Sequence, residues 1–113
     1  MSLLDIAEAH AALRRSISVP EWKDAQGVVP VLYWKSLTPA ENMVVMNATK
    51  AKEESPTEGS IRLIIAKLED ENGKKIFGIE DMLRIKNNVS HLVLNRIGNA
   101  ILSEETPEEA VKN

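Results

Sequence analysis

Apolar side chains recur along the chain at two spacings, and each spacing predicts one kind of element. Repeats of three to four residues are typical of amphipathic helices, whereas alternation and β-branched runs are typical of strands. Helical spacing covers residues 3–13, 39–52, 61–68, 79–86 and 91–102, and strand patterns occupy residues 17–19 and 28–35. The sequence therefore predicts an α+β fold that is mainly helical, with four to five helices and a small antiparallel β-hairpin near its N-terminal third.

Residues that are able to cap helices stand before most of the helical segments. Ser2 precedes the first, and Thr38-Pro39-Ala40-Glu41 forms a capping box with proline at the first helical position. Thr57 and Ser60 are both candidate caps for the third helix, and Gly78 is the candidate for the fourth. In the last helix, five residues are expected to face the interior: Leu92, Val93, Ile97, Ala100 and Ile101.

Two prolines affect the strands of the predicted hairpin. Residues 17–19 alternate before Pro20 stops the first strand, and residues 23–27 form a polar turn that ends in glycine. Pro30 falls inside the second predicted strand and cannot donate a hydrogen bond to a neighbour. We therefore expect Pro30 at a sheet edge or in a bulge.

Composition and charge narrow the class of protein. The 113 residues carry a net charge of −3, which argues against a nucleic-acid-binding protein. No apolar run approaches the ~20 residues that cross a bilayer, and no signal peptide is visible, so we expect no membrane partner. We expect one α+β domain over residues 1–103 and an acidic, disordered segment over residues 104–113.

The titratable residues predict no catalytic or metal site. His10 and His91 are far apart in sequence and have no nucleophile or ligand partner at a suitable spacing, so both are interpreted as surface histidines. The absence of cysteine excludes thiolate metal sites. Residues 69–73 are acidic but lack the alternating ligands and the distant glutamate of a calcium loop. We therefore expect no cofactor, no bound metal and no enzymatic activity.

Four side chains are candidates for contact with a protein partner. Met43 and Met46 would form a pliable surface, or alternatively would fill the core. Trp22 and Trp34 have the character of interface residues, or alternatively would anchor the hairpin to the helices from one of its faces.

Several short motifs follow one another in a characteristic order. They are Val19-Pro20-Glu21-Trp22, Val31-Leu32-Tyr33-Trp34-Lys35, Ser36-Leu37-Thr38-Pro39-Ala40-Glu41, the run from Leu68 to Phe77, and Glu80-Asp81-Met82-Leu83. In order and spacing, over residues 16–102, they resemble the tail assembly chaperones of long-tailed, siphovirus-like bacteriophages and prophages. Gly78 departs from the family, which often has threonine or serine there.

The resemblance implies a non-enzymatic function and a set of partners. It implies a chaperone that binds and solubilises the tape measure protein until the tail tube polymerises, with the tail tube protein as a further partner. It also implies a homo-oligomer, in the cytoplasm of the bacterial host and absent from the mature virion. The alternative is a structural minor tail protein or head–tail connector. A small enzyme is disfavoured, since no nucleophile–base set is present.

Overall fold

The fold was analysed in a computed structural model, which describes residues 1–103. The predicted acidic segment, residues 104–113, lies outside the described residues. Within residues 1–103 the elements are α1 (Leu3–Ala12), β1 (Arg14–Ser18), β2 (Val31–Lys35), α2 (Pro39–Ala51), α3 (Pro56–Lys67), α4 (Met82–Asn88) and α5 (His91–Ser103). Single turns of 3-10 helix occupy Pro20–Trp22 and Ile79–Asp81. The predicted α+β class, mainly helical with a two-stranded antiparallel sheet, is confirmed.

The two strands pair as predicted, but their limits differ from the prediction. Strand β1 begins at Arg14, three residues before the predicted strand, and Arg14 pairs with Lys35. Strand β2 begins only after Pro30, so proline occupies neither an edge nor a bulge within the strand. The Pro30 carbonyl instead accepts a hydrogen bond of 3.1 Å from the Val19 N–H, which closes the loop between the strands.

The second edge of β2 is covered by residues that follow α3. The backbone N–H and C=O of Tyr33 exchange hydrogen bonds of 2.9 and 2.8 Å with Glu69. After Glu69 the chain turns, and the Asp70 carboxylate accepts hydrogen bonds from the backbone N–H groups of Asn72 and Lys74. Gly73 has a φ of 83° in this turn, a conformation that favours glycine. Residues 70–74 therefore form a tight turn beside the sheet.

The core lies between one face of the hairpin and the three helices α3, α4 and α5. Trp34, Ile64, Leu68, Ile97 and Ile101 are fully buried in it. Helix α3 supplies most of its apolar residues to this core, as its sequence predicted. Leu92 is an exception to the predicted inward face of α5, because it is 78% exposed, whereas Leu94 is buried.

The helix caps confirm one prediction and correct another. The Thr38 hydroxyl accepts a hydrogen bond from the Glu41 N–H, and the Glu41 carboxylate accepts one from the Thr38 N–H, so the predicted capping box is present. Helix α3 is capped by Ser55, with Glu58 completing its box, and neither Thr57 nor Ser60 serves as the cap. Pro56 occupies the first helical position, and this proline fixes the start of α3 earlier than predicted.

None of the ten residues of helix α1 is buried, and the same is true of helix α2. Helix α1 starts at the predicted cap, where Ser2 and Asp5 form a reciprocal box. It ends at Ala12, so that Leu13 alone separates it from β1. Among residues 1–103, no helix combines the length and apolar character that a bilayer crossing requires.

Candidate protein-binding surface

A groove opens between α2, α3 and the end of α5, with a volume of about 480 Å³. Its apolar lining residues are Val45, Met46, Pro56, Leu63 and Leu102, and its polar ones are Asn42, Asn47, Thr49, Lys50 and Ser60, with Gly59 between them. Volumes of this size fall within the range of ligand pockets in proteins. We refer to this surface as the α2–α3–α5 groove.

The floor of the groove depends on a close approach of α2 and α3. A Cβ atom on Gly59 would lie 3.3 Å from both the Cγ2 and the Oγ1 atoms of Thr49. Thr49 is held in place, since its hydroxyl donates a 2.8 Å hydrogen bond to the Val45 carbonyl one turn earlier. Glycine at position 59 therefore lets the two helices meet without displacing Thr49.

The two candidate methionines lie on the exposed surface of α2. Met43 is 62% exposed and Met46 is 60% exposed, so core filling is wrong as an interpretation for both. Met46 lines the groove, and Met43 lies one turn before it on the same helix. The Met46 sulfur accepts a 3.4 Å hydrogen bond from the Asn42 side-chain amide. The Met46 thioether gives this side of the groove an apolar and adaptable border, whereas Met43 does not line the groove.

The two tryptophans occupy different environments. Trp34 is fully buried, so it presents no surface to a partner and anchors the hairpin to the helices instead. Trp22 is half-buried and packs edge-on against Phe77, with 6.5 Å between the ring centroids. A partner role for Trp34 is therefore not supported by its position, whereas Trp22 retains some exposed surface. The structure does not bring Trp22 together with the groove, which is lined by residues of α2, α3 and α5.

Phe77 connects Trp22 to a second concavity, of about 410 Å³, along α4. Its lining includes Ile85 and Val89, with Arg84 and Asn88 among its polar residues. The Asp81 carboxylate in this concavity accepts a 2.9 Å hydrogen bond from the Gly78 N–H, as expected for the predicted start of this helical region. The concavity is therefore bordered by more charged groups than the α2–α3–α5 groove.

The carboxylates around α3 are engaged in ion pairs and caps. Glu54 pairs with Arg62, at 3.0 Å from one of its terminal nitrogens, and Glu58 pairs with Lys86 at 2.9 Å. Hydrogen bonds from the Ser55 backbone N–H and then from the Lys86 side chain lower the pKa of Glu58 to about 2. These interactions stabilise the ionised form of Glu58 and remove it from the range of a general acid at neutral pH.

The histidines lie where the sequence predicted, on the surface. The His10 ring lies 3.4 Å from an Arg15 guanidinium nitrogen, and the His91 ring lies 3.1 Å from the Asn95 amide nitrogen. Within residues 1–103, no group of three histidine, aspartate or glutamate side chains is arranged to hold a metal ion.

Sequence reasoning missed three residues that define the groove. Gly59 fell outside the predicted helical spacing of residues 61–68, although an isolated glycine within a helical segment often marks a close packing contact. Leu63 lies within the predicted third helix but was not singled out as a candidate for partner contact, and it lines the groove while being buried. Leu102 lies in the last turn of α5, where its 60% exposure depends on the placement of α2, which no local pattern reveals.

This architecture is similar to that of a phage protein of known structure. No protein-family model matches the chain, and no curated protein sequence matches it either. The chain is similar to the structure of the bacteriophage HK97 tail assembly chaperone, with a TM-score of 0.58 and 18% sequence identity. The match covers 91% of this chain and 94% of the HK97 chain. The chain therefore has the fold of a bacteriophage tail assembly chaperone, in agreement with the resemblance of its sequence motifs.

Proposed function

We propose that this chain is a phage tail assembly chaperone that binds the tape measure protein and keeps it soluble until tail tube polymerisation. The observation that supports this proposal is the fold, which is shared with the HK97 tail assembly chaperone over nearly the full length of both chains. The ordered sequence motifs at residues 16–102 support the same family independently of the coordinates.

The α2–α3–α5 groove is the surface on which we place the client. An amphipathic helix binds a groove by inserting side chains from its apolar face, and a long helical client offers many such faces. The groove has apolar walls and a polar border, and Met46 can adjust to side chains of different shape. A surface of this kind suits a client whose successive segments differ in sequence.

Weak individual contacts are sufficient for this function. Many copies along one client act together, so their combined occupancy exceeds what each contact alone would give. A weak contact is also readily released when tube subunits replace the chaperone. The proposal places the chain in the host cytoplasm during assembly, with the tail tube protein as a further partner and no copy retained in the finished particle.

Co-expression with the tape measure protein tests the proposal. The wild-type chain is expected to move the client from the insoluble to the soluble fraction. Met46→Asp places a charge in the groove and is expected to lose most of this effect. Leu92→Asp is the control, because Leu92 is also exposed, at 78% against 60% for Met46, and lies outside the groove. A client that is equally insoluble with and without the wild-type chain would contradict the proposal.

Mass spectrometry of purified phage particles tests the alternative of a minor tail protein or head–tail connector. A chaperone is expected to be absent from the particles and present in the lysate. Detection in particles at a fixed ratio to the tail tube protein would favour the structural alternative and overturn the chaperone proposal.

A further inference from the structure

Helix α1 exposes an apolar face that no other described element covers. Leu3, Leu4 and Ile6 are all more than half exposed. Helices shorter than ~12–15 residues are marginal in water even in favourable sequences. Since α1 has ten residues and none is buried, its own capping box and helix propensity are a weak basis for a stable helix. A partner that covers the apolar face would supply the missing stabilisation.

Helix α1 is joined closely to β1 and does not line the groove of its own chain. Leu13 is the only residue between the two elements. The Arg15 guanidinium donates hydrogen bonds to the carbonyl oxygens of His10 and Leu13, which fixes the end of the helix. Among the described residues, none from α1 lines the α2–α3–α5 groove. Within residues 1–103, no segment of the same chain therefore covers either surface.

The charges of α1 and the groove are complementary. Helix α1 carries two acidic residues, Asp5 and Glu8, and no lysine or arginine. Lys50 is the charged residue of the groove lining, and no carboxylate lines the groove within residues 1–103. Glu8 is exposed and follows Leu4 by one helical turn, so it would lie near Lys50 once Leu4 enters the groove. In its own chain, however, Glu8 lines a concavity with Lys35 and Lys67. Opposite charges at such positions favour one orientation of a docked helix.

We propose that α1 of one copy binds the α2–α3–α5 groove of a second copy of this chain. The contact joins two different surfaces, so each copy in a pair retains a free helix at one end and a free groove at the other. Repetition of a head-to-tail contact of this kind gives an open chain of copies unless the rotation closes a ring. The inference rests on the proposed function, because it specifies the contact by which copies of such a chaperone would associate. Its test does not require the client.

A client helix would enter the same groove that holds α1. The client and α1 therefore compete, and α1 covers the apolar groove of a neighbouring copy while no client is present. Covering the groove in this way lowers the exposed apolar area of the free chaperone, which limits aggregation before a client is made.

Mixing two complementary variants tests the contact by size-exclusion chromatography with light scattering. The helix variant carries Leu3→Asp and Ile6→Asp, and the groove variant carries Met46→Asp. Wild-type protein is expected to grow in mass with concentration, whereas each variant alone remains monomeric. An equal mixture is expected to form a heterodimer and nothing larger, because only one intact helix–groove pair is available. Circular dichroism establishes that each variant is folded.

Three outcomes of this experiment overturn the inference. They are a monomeric wild-type chain at all concentrations, a variant that associates as the wild type does, and a mixture that stays monomeric. Each of them leaves the client proposal standing if co-expression still solubilises the client. Conversely, the heterodimer would form even if the client were never solubilised.

Disulfide cross-linking provides a second, independent test, because the chain has no cysteine of its own. Full-length chains with Leu4→Cys and with Met46→Cys are mixed and oxidised, and a cross-linked heterodimer is expected. The control pairs Leu4→Cys with Leu92→Cys, which lies on α5 outside the groove. Equal cross-linking in the two mixtures would show random collision and would overturn the inference.

Discussion

The Lys67 ammonium lies 2.9 Å from both carboxylate oxygens of Glu41. It also donates a 3.3 Å hydrogen bond to the Ser36 carbonyl oxygen. The Lys67 side chain is only 5% exposed, whereas that of Glu41 is 41% exposed. Glu41 therefore has two tasks: it completes the cap of α2 and it neutralises a cation at the buried end of α3. The ion pair joins the start of one helix to the end of the next.

Glu41→Gln is expected to destabilise the fold while leaving the α2 cap in place, because glutamine also completes a capping box. The substitution leaves the Lys67 charge buried without its counter-charge. Breaking a buried pair costs about 3–5 kcal/mol, and solvent at the half-exposed carboxylate reduces our expectation to about 1–3 kcal/mol. The free energy of unfolding in urea, followed by circular dichroism, measures this loss.

Lys67→Met provides the control for this substitution. Methionine removes the buried charge and keeps most of the side-chain volume, so Glu41→Gln in a Lys67→Met background is expected to cost less than in the wild type. Equal costs in the two backgrounds would show that the ion pair contributes nothing to stability.

Stability is expected to fall in acid. A hydrogen bond from Arg96 lowers the pKa of Glu21 to about 2, and that of Glu58 is lowered to a similar value. Burial raises the pKa of Glu41, but the hydrogen bonds from Lys67 and Thr38 outweigh it and lower that pKa overall. As the pH is lowered, these carboxylates take up protons near pH 4.5 in the unfolded chain, and only at lower pH in the folded chain.

The unfolded state therefore binds more protons than the folded state as the pH falls below this value. The stabilisation is complete at neutral pH and is lost progressively towards pH 2. Urea midpoints measured between neutral pH and about pH 3 are expected to show this decline. Glu58→Gln is expected to decline less steeply, and a slope identical to that of the wild type would contradict the assignment of Glu58.

Two substitutions near the start of α3 distinguish the observed cap, Ser55, from the predicted cap Thr57. Ser55→Ala removes the hydroxyl that accepts the Glu58 N–H and is expected to cost about 1 kcal/mol of stability. Thr57→Ala, two residues later, removes no capping bond and is expected to change stability by less than about 0.5 kcal/mol. Thermal and urea unfolding of both variants measure the difference. A larger loss at Thr57 would place the cap there.

Trp34 is expected to tolerate one truncation and not another. Its indole Nε1 is buried without a hydrogen-bond acceptor among the described residues, a burial that costs about 1–3 kcal/mol. Trp34→Phe removes this donor together with part of the packing, so its net cost is expected below about 2 kcal/mol. Trp34→Ala is expected to cost about 3–5 kcal/mol through the cavity it leaves. Similar losses for both variants would indicate that the indole N–H has a partner.

The features that the sequence predicted correctly are those determined by neighbours along the chain. The Thr38–Glu41 box and the apolar spacing of α3 each depend on a few consecutive residues. The missed cap at Ser55 was also local, and the signal was available in Ser55-Pro56 followed by Glu58. In that case the prediction was wrong because Thr57 and Ser60 were the candidate caps.

The features that the sequence did not predict depend on residues distant along the chain. The partner of Lys67 is 26 positions away, and nothing in the local pattern distinguishes Lys67 from an exposed lysine. The amphipathic pattern at residues 3–13 predicted a helix correctly but did not reveal that its apolar face lies uncovered. The α2–α3–α5 groove likewise exists only because the fold brings Met46 and Leu102, which are distant along the chain, to one surface.

The single-residue link at Leu13 has a consequence for any filament built through α1. Leu13 has an extended backbone, with φ −65° and ψ 132°, and these two angles set the direction of the helix relative to the sheet. The rise and the rotation from one subunit to the next would follow from the same two angles. Extra residues inserted after Leu13 would preserve the docking contact and abolish a regular pitch, so the spacing of the subunits would be encoded in the covalent chain.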